Sequence, residues 1–231
     1  MLQEKYRPQH WRDLILPTQG KTALQIALLR KRIESGDETP LLVWLEGATG
    51  CGKSSTANVI ANALGSPKGS IGRQEYNGSY FDHKAVKALA DSLCKWLFGW
   101  RVIVINEVQQ ATKGAASAML DLLESLPPKH CIIFTSMETE RVLFEEQTDK
   151  ALKARCHVVE FTTQGIKESL APKALELARA EGLDFGADDK RIKTLIEASK
   201  NSIREVFARI GRGELANAKD AYGDAMAILA A

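Results

Sequence analysis

Several features that would point to particular classes of protein are missing from this 231-residue chain. Its four cysteines include no pair with C-x-x-C spacing, which argues against a zinc site or a disulfide framework and favours reduced thiols in a cytoplasmic protein. The opening ten residues hold no apolar stretch of the kind found in signal peptides. The apolar runs at 41–45 and 102–105 have the length of strands, so we expect no membrane span.

Charge of one sign is also not in excess. Lys and Arg total 31 against 29 Asp and Glu, which gives a formal net charge of +2. A chain this close to neutral is not a bulk polycation, so any binding of nucleic acid would depend on a local patch. The composition, 45% hydrophobic and 26% charged, is that of a globular protein with enough residues for one large domain or two small ones.

Predicted strands alternate with predicted helices over the first 162 residues. The strands are expected at 41–46, 75–77, 101–106, 131–136 and 157–161, and the helices at 19–35, 53–64, 81–98 and 114–126. Such alternation predicts an α/β fold with a parallel five-stranded sheet covered by helices on both faces. Beyond Phe161 only helical periodicity is present, at 166–181, 187–199, 202–210 and 214–229. We therefore expect two domains, residues 1–162 and a small all-α domain over 163–231.

A phosphate-binding loop lies between the first strand and its helix. The sequence GATGCGKS fits G-x-x-x-x-G-K-[ST] without a mismatch. It follows a predicted strand and opens a predicted helix, which is the context that this motif requires. Glycines let backbone N–H groups surround phosphates, Lys53 would reach the terminal phosphates, and the Ser54 hydroxyl would ligate Mg²⁺. The predicted nucleotide-binding residues of this loop are Gly47, Ala48, Thr49, Gly50, Cys51, Gly52, Lys53, Ser54 and Ser55.

A second acidic motif follows the strand at 101–106, and it departs from the usual pattern. P-loop NTPases place a carboxylate at this strand end to hold the metal shell, and many add a Glu that orients the attacking water. Here Asn106 occupies the metal position and Glu107 the catalytic one. An Asn can accept a hydrogen bond from metal-bound water but brings no negative charge, which puts hydrolysis in question. Natural divergence, an inactivated site and an engineered change all remain open for Asn106.

The N-terminal sequence EKYRPQHWRDLI resembles the K-Y-R-P-x-x-[FW]-x-D-[LV]-[IV] opening of sliding-clamp loader ATPase subunits. That group includes replication factor C small subunits, phage clamp-loader ATPases and bacterial DNA polymerase III subunits of the gamma-tau type. The resemblance extends in order from residue 3 to about residue 212. It implies an AAA+ P-loop domain followed by a helical lid, with Tyr6, Arg7 and Pro8 near the adenine.

Other residues take implied roles from the same resemblance. Thr135 or Ser136 would be the polar sensor at a strand end, and Arg204 a second sensor on the lid. The segment LKARC resembles an L-x-S-R-C motif, which makes Arg155 an arginine finger that acts in trans on a neighbouring subunit. Lys113, in TKGAASA, would contact DNA phosphates, although a solvated lysine at a helix start is an equal alternative.

These implications lead to an expected function. The chain would bind ATP and Mg²⁺ and hydrolyse ATP as an oligomeric subunit of a clamp loader, with a sliding clamp, other loader subunits and primed DNA as partners. It would lie in the cytoplasm, or in the host cytoplasm if it is phage-encoded. The alternatives are an ATP-binding switch or scaffold with little turnover, a different AAA+ DNA-remodelling motor, and a regulatory module with a relic P-loop.

Overall fold

A five-stranded parallel sheet forms the centre of the molecule. The computed structural model describes residues 1–137 and 146–216, with side chains omitted for 146–149. The strands are β1 Leu41–Gly47, β2 Arg73–Asn77, β3 Arg101–Asn106, β4 His130–Ser136 and β5 His157–Phe161. Their order is β2-β3-β4-β1-β5, and every neighbouring pair is parallel. The predicted fold class is therefore confirmed, with all five strands at the expected places.

Helices occupy most of the chain between and after the strands. They are α1 Leu2–Lys5, α2 Lys21–Glu34, α3 Lys53–Ala63, α4 His83–Leu93, α5 Lys113–Glu124, α6 Glu146–Ala154, α7 Lys167–Ala180, α8 Asp189–Ala198 and α9 Ile203–Gly211. Sequence analysis did not predict α1 and α6. Of the helix predicted at 214–229, residues 214–216 form a turn and a bend, and the rest lies outside the described residues.

The helix predicted over 81–98 is shorter than expected. Its N-terminus is capped by the Asp82 side chain, and it ends at Leu93. Beyond that point the Trp96 indole packs under the Arg101 guanidinium, 4.8 Å from the ring centroid, and donates a hydrogen bond to the Gly99 carbonyl at 3.2 Å. These contacts hold the segment in a turn, so its apolar residues no longer continue the buried face of the helix.

Two hydrophobic cores cover the faces of the sheet because side chains alternate along each strand. In β1, Trp44 packs with α4 and α5 on one face, while Val43 and Leu45 pack with α2 and α3 on the other. All three side chains are almost completely buried. Burial on both faces explains why the sequences of the strands are continuous apolar runs.

A third core joins α7, α8 and α9, and the N-terminal segment contributes to it. Leu170, Ile192 and Ile210 are fully buried there, and Tyr6 and Ile15 pack against them. The N-terminal segment thus contacts the helical region, and the division at 162–163 stays a prediction. Within the described ranges, no helix is both long enough and apolar enough to cross a membrane.

Candidate functional site

A cavity of about 560 Å³ opens at the carboxyl edge of the sheet. Four parts of the chain line it: the N-terminal segment, the loop after β1, the ends of β2 to β4, and the helices α7 and α9. Parallel strands end together at this edge, which is where ligands bind in open α/β sheets. The cavity therefore collects residues that are far apart in the sequence.

The glycine-rich loop forms the floor of this cavity. Gly50 and Gly52 have φ angles of +79° and +110°, and Gly52 is the N-cap of α3. The loop therefore ends at a helix N-terminus, whose free N–H groups and dipole favour an anion. Residues 49–55 line the cavity, whereas Gly47 and Ala48 do not.

Lys53 is held by the loop itself. Its Nζ donates hydrogen bonds to the carbonyl oxygens of Gly47 at 2.7 Å and Ala48 at 2.8 Å. Burial lowers the pKa of the Lys53 ammonium, and the nearby positive charge of Arg204 lowers this pKa further. A bound phosphate would raise the pKa of Lys53 against both effects, because a nearby anion stabilises the charged form of the amine.

The ends of β3 and β4 bring Asn106, Glu107 and Thr135 together. Thr135 Oγ1 donates to Asn106 Oδ1 at 3.3 Å and accepts from the Glu107 N–H at 3.1 Å. Glu107 has a left-handed backbone (φ 54°, ψ 47°), a conformation that is costly for a non-glycine residue and that clusters at functional sites. The Glu107 carboxylate accepts a hydrogen bond from Gln110 Nε2 at 2.7 Å.

The N-terminal segment closes one side of the cavity. Asn58 on α3 donates from Nδ2 to the Pro8 carbonyl at 3.0 Å, while the Tyr6 hydroxyl donates to Glu181 Oε1 at 2.5 Å. Lys5 Nζ lies 2.5 Å from the same carboxylate oxygen. The segment is thereby attached both to the helix after the P-loop and to the end of α7. Tyr6, Arg7 and Pro8 all line the cavity.

The helical region also borders the cavity, through α9. The Arg204 N–H donates to the Gly50 carbonyl at 3.3 Å, so the first turn of α9 contacts the glycine-rich loop directly. Arg204 lines the cavity, as do Thr135 and Ser136, the two alternatives for the strand-end sensor. Thr135 is the one that contacts both Asn106 and Glu107, which favours it for that role.

Two predicted site residues lie away from this cavity. Arg155, just after α6, donates from Nη2 to Glu124 Oε1 at 2.6 Å and from Nη1 to the Ala151 carbonyl at 2.9 Å. Lys113 is exposed at the start of α5. Neither lines the chain's own cavity. An arginine that acts on a neighbouring copy has to lie outside its own site.

Sequence analysis missed a polar network beside the site. Arg73 on β2 lines the cavity, and its guanidinium donates to Asn58 Oδ1 at 2.8 Å and pairs with Glu75 at 2.6 Å. Lys173 on α7 also lines the cavity. These residues carry no motif spacing, because only the tertiary fold brings β2 and α7 to the loop.

The donor set fits a nucleotide with Mg²⁺. The ammonium of Lys53 and the start of α3 suit phosphates, while the Ser54 hydroxyl and the Asn106 amide oxygen suit a hard cation. Within the described part of the chain, no group of three or more His, Cys, Asp or Glu could hold a metal ion. A cation here would therefore depend on phosphate oxygens and water as well as on the protein.

Comparisons with known proteins bear on the fold and on the sequence as a whole. No family model matches the chain. It is 27% identical over 160 residues to DNA polymerase III subunit tau of Bacillus subtilis (strain 168), a match that spans 59% of this chain and 27% of that protein.

Solved structures show the same fold at low sequence identity. The Thermotoga maritima RuvB Holliday junction branch migration motor matches with a TM-score of 0.62 and 18% identity, over 90% of this chain and 64% of that one. A DNA polymerase III gamma subunit-related protein from Thermotoga maritima matches with a TM-score of 0.55 and 16% identity, over 80% and 58%. The chain thus spans less than two thirds of each of these relatives.

The fold is that of an AAA+ P-loop ATPase. By sequence, the chain is weakly similar to a DNA polymerase III tau subunit. The resemblance to the gamma-tau group that the sequence analysis stated is confirmed at this level.

Proposed function

We propose that this chain binds ATP with Mg²⁺ in the cavity and hydrolyses it as a subunit of a sliding-clamp loader. The observation that carries the proposal is the convergence of Lys53, Glu107, Thr135 and Arg204 on one cavity. The loop alone would support nucleotide binding. A carboxylate, a hydroxyl and an arginine from three other elements supply what phosphoryl transfer needs.

Each residue has a distinct task in this mechanism. Lys53 and the N–H groups at the start of α3 bind the β- and γ-phosphates, and Ser54 and Asn106 would hold the Mg²⁺ shell. When bound, Mg²⁺ would supply positive charge that offsets the negative charge of the phosphates. Glu107 accepts a hydrogen bond from the attacking water, whose oxygen bonds to the γ-phosphorus as the bond to the bridging oxygen breaks. ADP leaves, the phosphate keeps one water proton, and the other proton passes through the Glu107 carboxylate to solvent.

Arg155 would complete the site of a neighbouring copy. Its guanidinium lies outside its own cavity and is paired with exposed Glu124, a contact that a γ-phosphate can replace. A planar, permanently charged group suits the charge that spreads over the phosphoryl oxygens in the transition state. Turnover should then depend on assembly.

The surface near the starts of α4 and α5 supports DNA as a partner. Exposed Lys84, Lys87 and Lys113 lie on the two helices, and the His83 ring contacts the Gly114 carbonyl at 3.4 Å, which brings the two helix starts together. Tyr80 beside them is 85% exposed. Lysines would bind backbone phosphates without reading sequence, and an exposed aromatic ring can stack on a base.

A protein partner is supported by an apolar surface at the other end of the sheet. Leu97 is 84% exposed, Phe98 is 72% exposed and Ile71 is 80% exposed, and Trp96 packs edge-on against Phe98 at 6.3 Å. Large apolar side chains grouped on a surface commonly mark protein contacts. We assign this surface to the sliding clamp.

The test is steady-state ATP hydrolysis as a function of protein concentration, with and without primed DNA. The proposal expects turnover per chain to rise with concentration and with DNA, and Arg155→Ala to abolish that rise while nucleotide binding persists. Pull-down with a sliding clamp, compared between the wild type and Leu97→Ser/Phe98→Ser, tests the partner. Turnover that is independent of concentration and of Arg155 would contradict the shared site.

A second candidate is an ATP-binding switch with little turnover, and Asn106 favours it. The amide contributes no negative charge to the Mg²⁺ shell, and its oxygen already accepts a hydrogen bond from Thr135. If the site is silenced in this way, Asn106→Asp should raise turnover by about 10²-fold, the size of effect that one electrostatic contact has in such a site. Equal turnover in both forms, well above background, would exclude the switch.

A different DNA-remodelling motor is the third candidate. It is favoured by the structural similarity to a protein described as a Holliday junction branch migration motor. Stimulation of hydrolysis by four-way junctions, but not by primed DNA with a clamp, would support it.

A further inference from the structure

Three side chains connect the strand that leads into the glycine-rich loop with α6, the helix that ends one residue before Arg155. Glu46 on β1 immediately precedes Gly47, and its Oε2 accepts a hydrogen bond from Trp44 Nε1 at 3.1 Å. The same oxygen forms an ion pair with Lys153 Nζ on α6. Lys153 Nζ also lies 5.4 Å from the centroid of the Trp44 ring.

This arrangement fixes where Lys153 can lie. The Trp44 ring is buried and packs against Phe134 at a centroid distance of 5.5 Å, so it cannot follow a moving lysine. The side chain of Glu46 is only 18% exposed and is held by the indole N–H. A cation between a shielded carboxylate and an aromatic face gains from both.

Other contacts place the backbone at the C-terminal end of α6. Leu152 is fully buried in the core shared with α5, and β5, which begins at His157, pairs with β1. Arg155 itself pairs with Glu124, a partner it must leave in order to reach a phosphate. The Glu46–Lys153 ion pair adds a side-chain contact between the last turn of α6 itself and the residue that precedes Gly47.

We propose that Glu46 is a positioning residue for Arg155. By holding Lys153, it keeps the end of α6 at a fixed place relative to β1, so that Arg155 is presented to the γ-phosphate of a neighbouring copy. The inference rests on the proposed action of Arg155 in trans. Glu46 of one copy would then affect ATP hydrolysis in the neighbouring copy and would not affect nucleotide binding in its own copy.

Mixing two inactive variants isolates this role. A donor chain with Lys53→Ala keeps Arg155 but lacks the phosphate lysine. An acceptor chain with Arg155→Ala keeps an intact nucleotide site. Each alone should hydrolyse ATP at background, and an equimolar mixture should recover activity if Arg155 acts in trans. Glu46→Gln is then placed either in the donor or in the acceptor.

The proposal expects an asymmetric result. Glu46→Gln in the donor should lower kcat of the mixture between about threefold and tenfold with KM for ATP unchanged, because a small misplacement of a catalytic group is costly. The same change in the acceptor should leave kcat within about twofold. Lys153→Gln in the donor should reproduce the loss. Glu34→Gln in the donor is the matched control, since Glu34 pairs with Arg30 on α2, at 2.7 Å, away from α6.

The results distinguish the action of Arg155 in trans from the positioning role of Glu46. If the unaltered donor and acceptor fail to complement each other, action in trans is wrong and the role of Glu46 falls with it. If they do complement each other and Glu46→Gln has no effect in the donor, or an equal effect in the acceptor, only the positioning role is wrong. Should the Glu46→Gln donor fail to fold by circular dichroism, the Lys153→Gln donor decides by the same criteria.

Discussion

Gly50 lies where the glycine-rich loop contacts the helical region, and replacing it by alanine should separate the two. A Cβ at this position would lie 2.3 Å from Ser202 Oγ and 3.1 Å from Arg204 Cβ, and the backbone has φ +79°. The first of these distances is far inside van der Waals contact. The Ser202 hydroxyl must therefore rotate away, which removes its cap on the Glu205 N–H. Arg204 Cβ must also give way, which displaces the first turn of α9 slightly and strains the hydrogen bond from the Arg204 N–H to the Gly50 carbonyl.

A matched control separates the two contributions to the loss of stability in Gly50→Ala, which are backbone strain and the collision of the new Cβ. Gly36 has nearly the same conformation, φ +75°, but a Cβ there would meet nothing within 4 Å. Gly36→Ala should therefore cost only the left-handed strain of about 1–2 kcal/mol. Gly50→Ala adds the lost hydrogen bond and the displaced helix, a further ~1–2 kcal/mol. At about 2–4 °C per kcal/mol for a chain of this size, the two variants should differ in Tm by several degrees.

Nucleotide affinity gives the functional measurement. Titration with a fluorescent ATP analogue should show at least about tenfold weaker binding for Gly50→Ala and unchanged binding for Gly36→Ala. Ser202→Gly combined with Gly50→Ala removes the colliding hydroxyl, and it should restore part of the affinity at a small capping cost. If Gly50→Ala binds nucleotide like the wild type and melts like Gly36→Ala, the reasoning about this contact is wrong.

Three further predictions test other parts of the structure. Hydrogen bonds from Lys5 and Tyr6 lower the pKa of Glu181, so stability from this contact should be present above the unfolded pKa of about 4.3 and lost as pH falls through the folded pKa. Glu181→Gln should then reduce the dependence of Tm on pH between about 5 and 3; an unchanged dependence would contradict the assignment. Lys113→Ala should weaken DNA binding equally for all sequences and reduce the slope of log K against log salt by about one, and a slope equal to that of the wild type would remove Lys113 from the interface. Leu170→Ala, in the core of the helical region, should lower the free energy of unfolding by about 2–5 kcal/mol in chemical denaturation. Leu28 is 56% exposed, and Leu28→Ala should lower it by less than about 0.5 kcal/mol. Equal losses would mean that α7 is not packed as described.

Local sequence determined the elements that surround the phosphate loop. Apolar runs without polar interruption, such as 102–105, predict buried strands because both of their faces are covered. The motif from Gly47 to Ser54 predicts a strand, a loop and a helix in that order, because this spacing of glycines and of the Lys-Ser pair is typical of a phosphate-binding loop in that context. The end of α4 was predicted wrongly, since the cation–π contact between Arg101 and Trp96 links residues that periodicity cannot connect.

The arrangement of the site was decided by the tertiary structure. Sequence could name Asn106 and Thr135 separately, but only the pairing of β3 with β4 brings the hydroxyl to the amide. In the same way, Arg73 carries no motif, and the ion pair of Glu46 with Lys153 joins residues more than one hundred positions apart. Chemical identity and short-range spacing are properties of the sequence. Which side chains share a cavity depends on strand order and helix packing, which arise from contacts between distant segments.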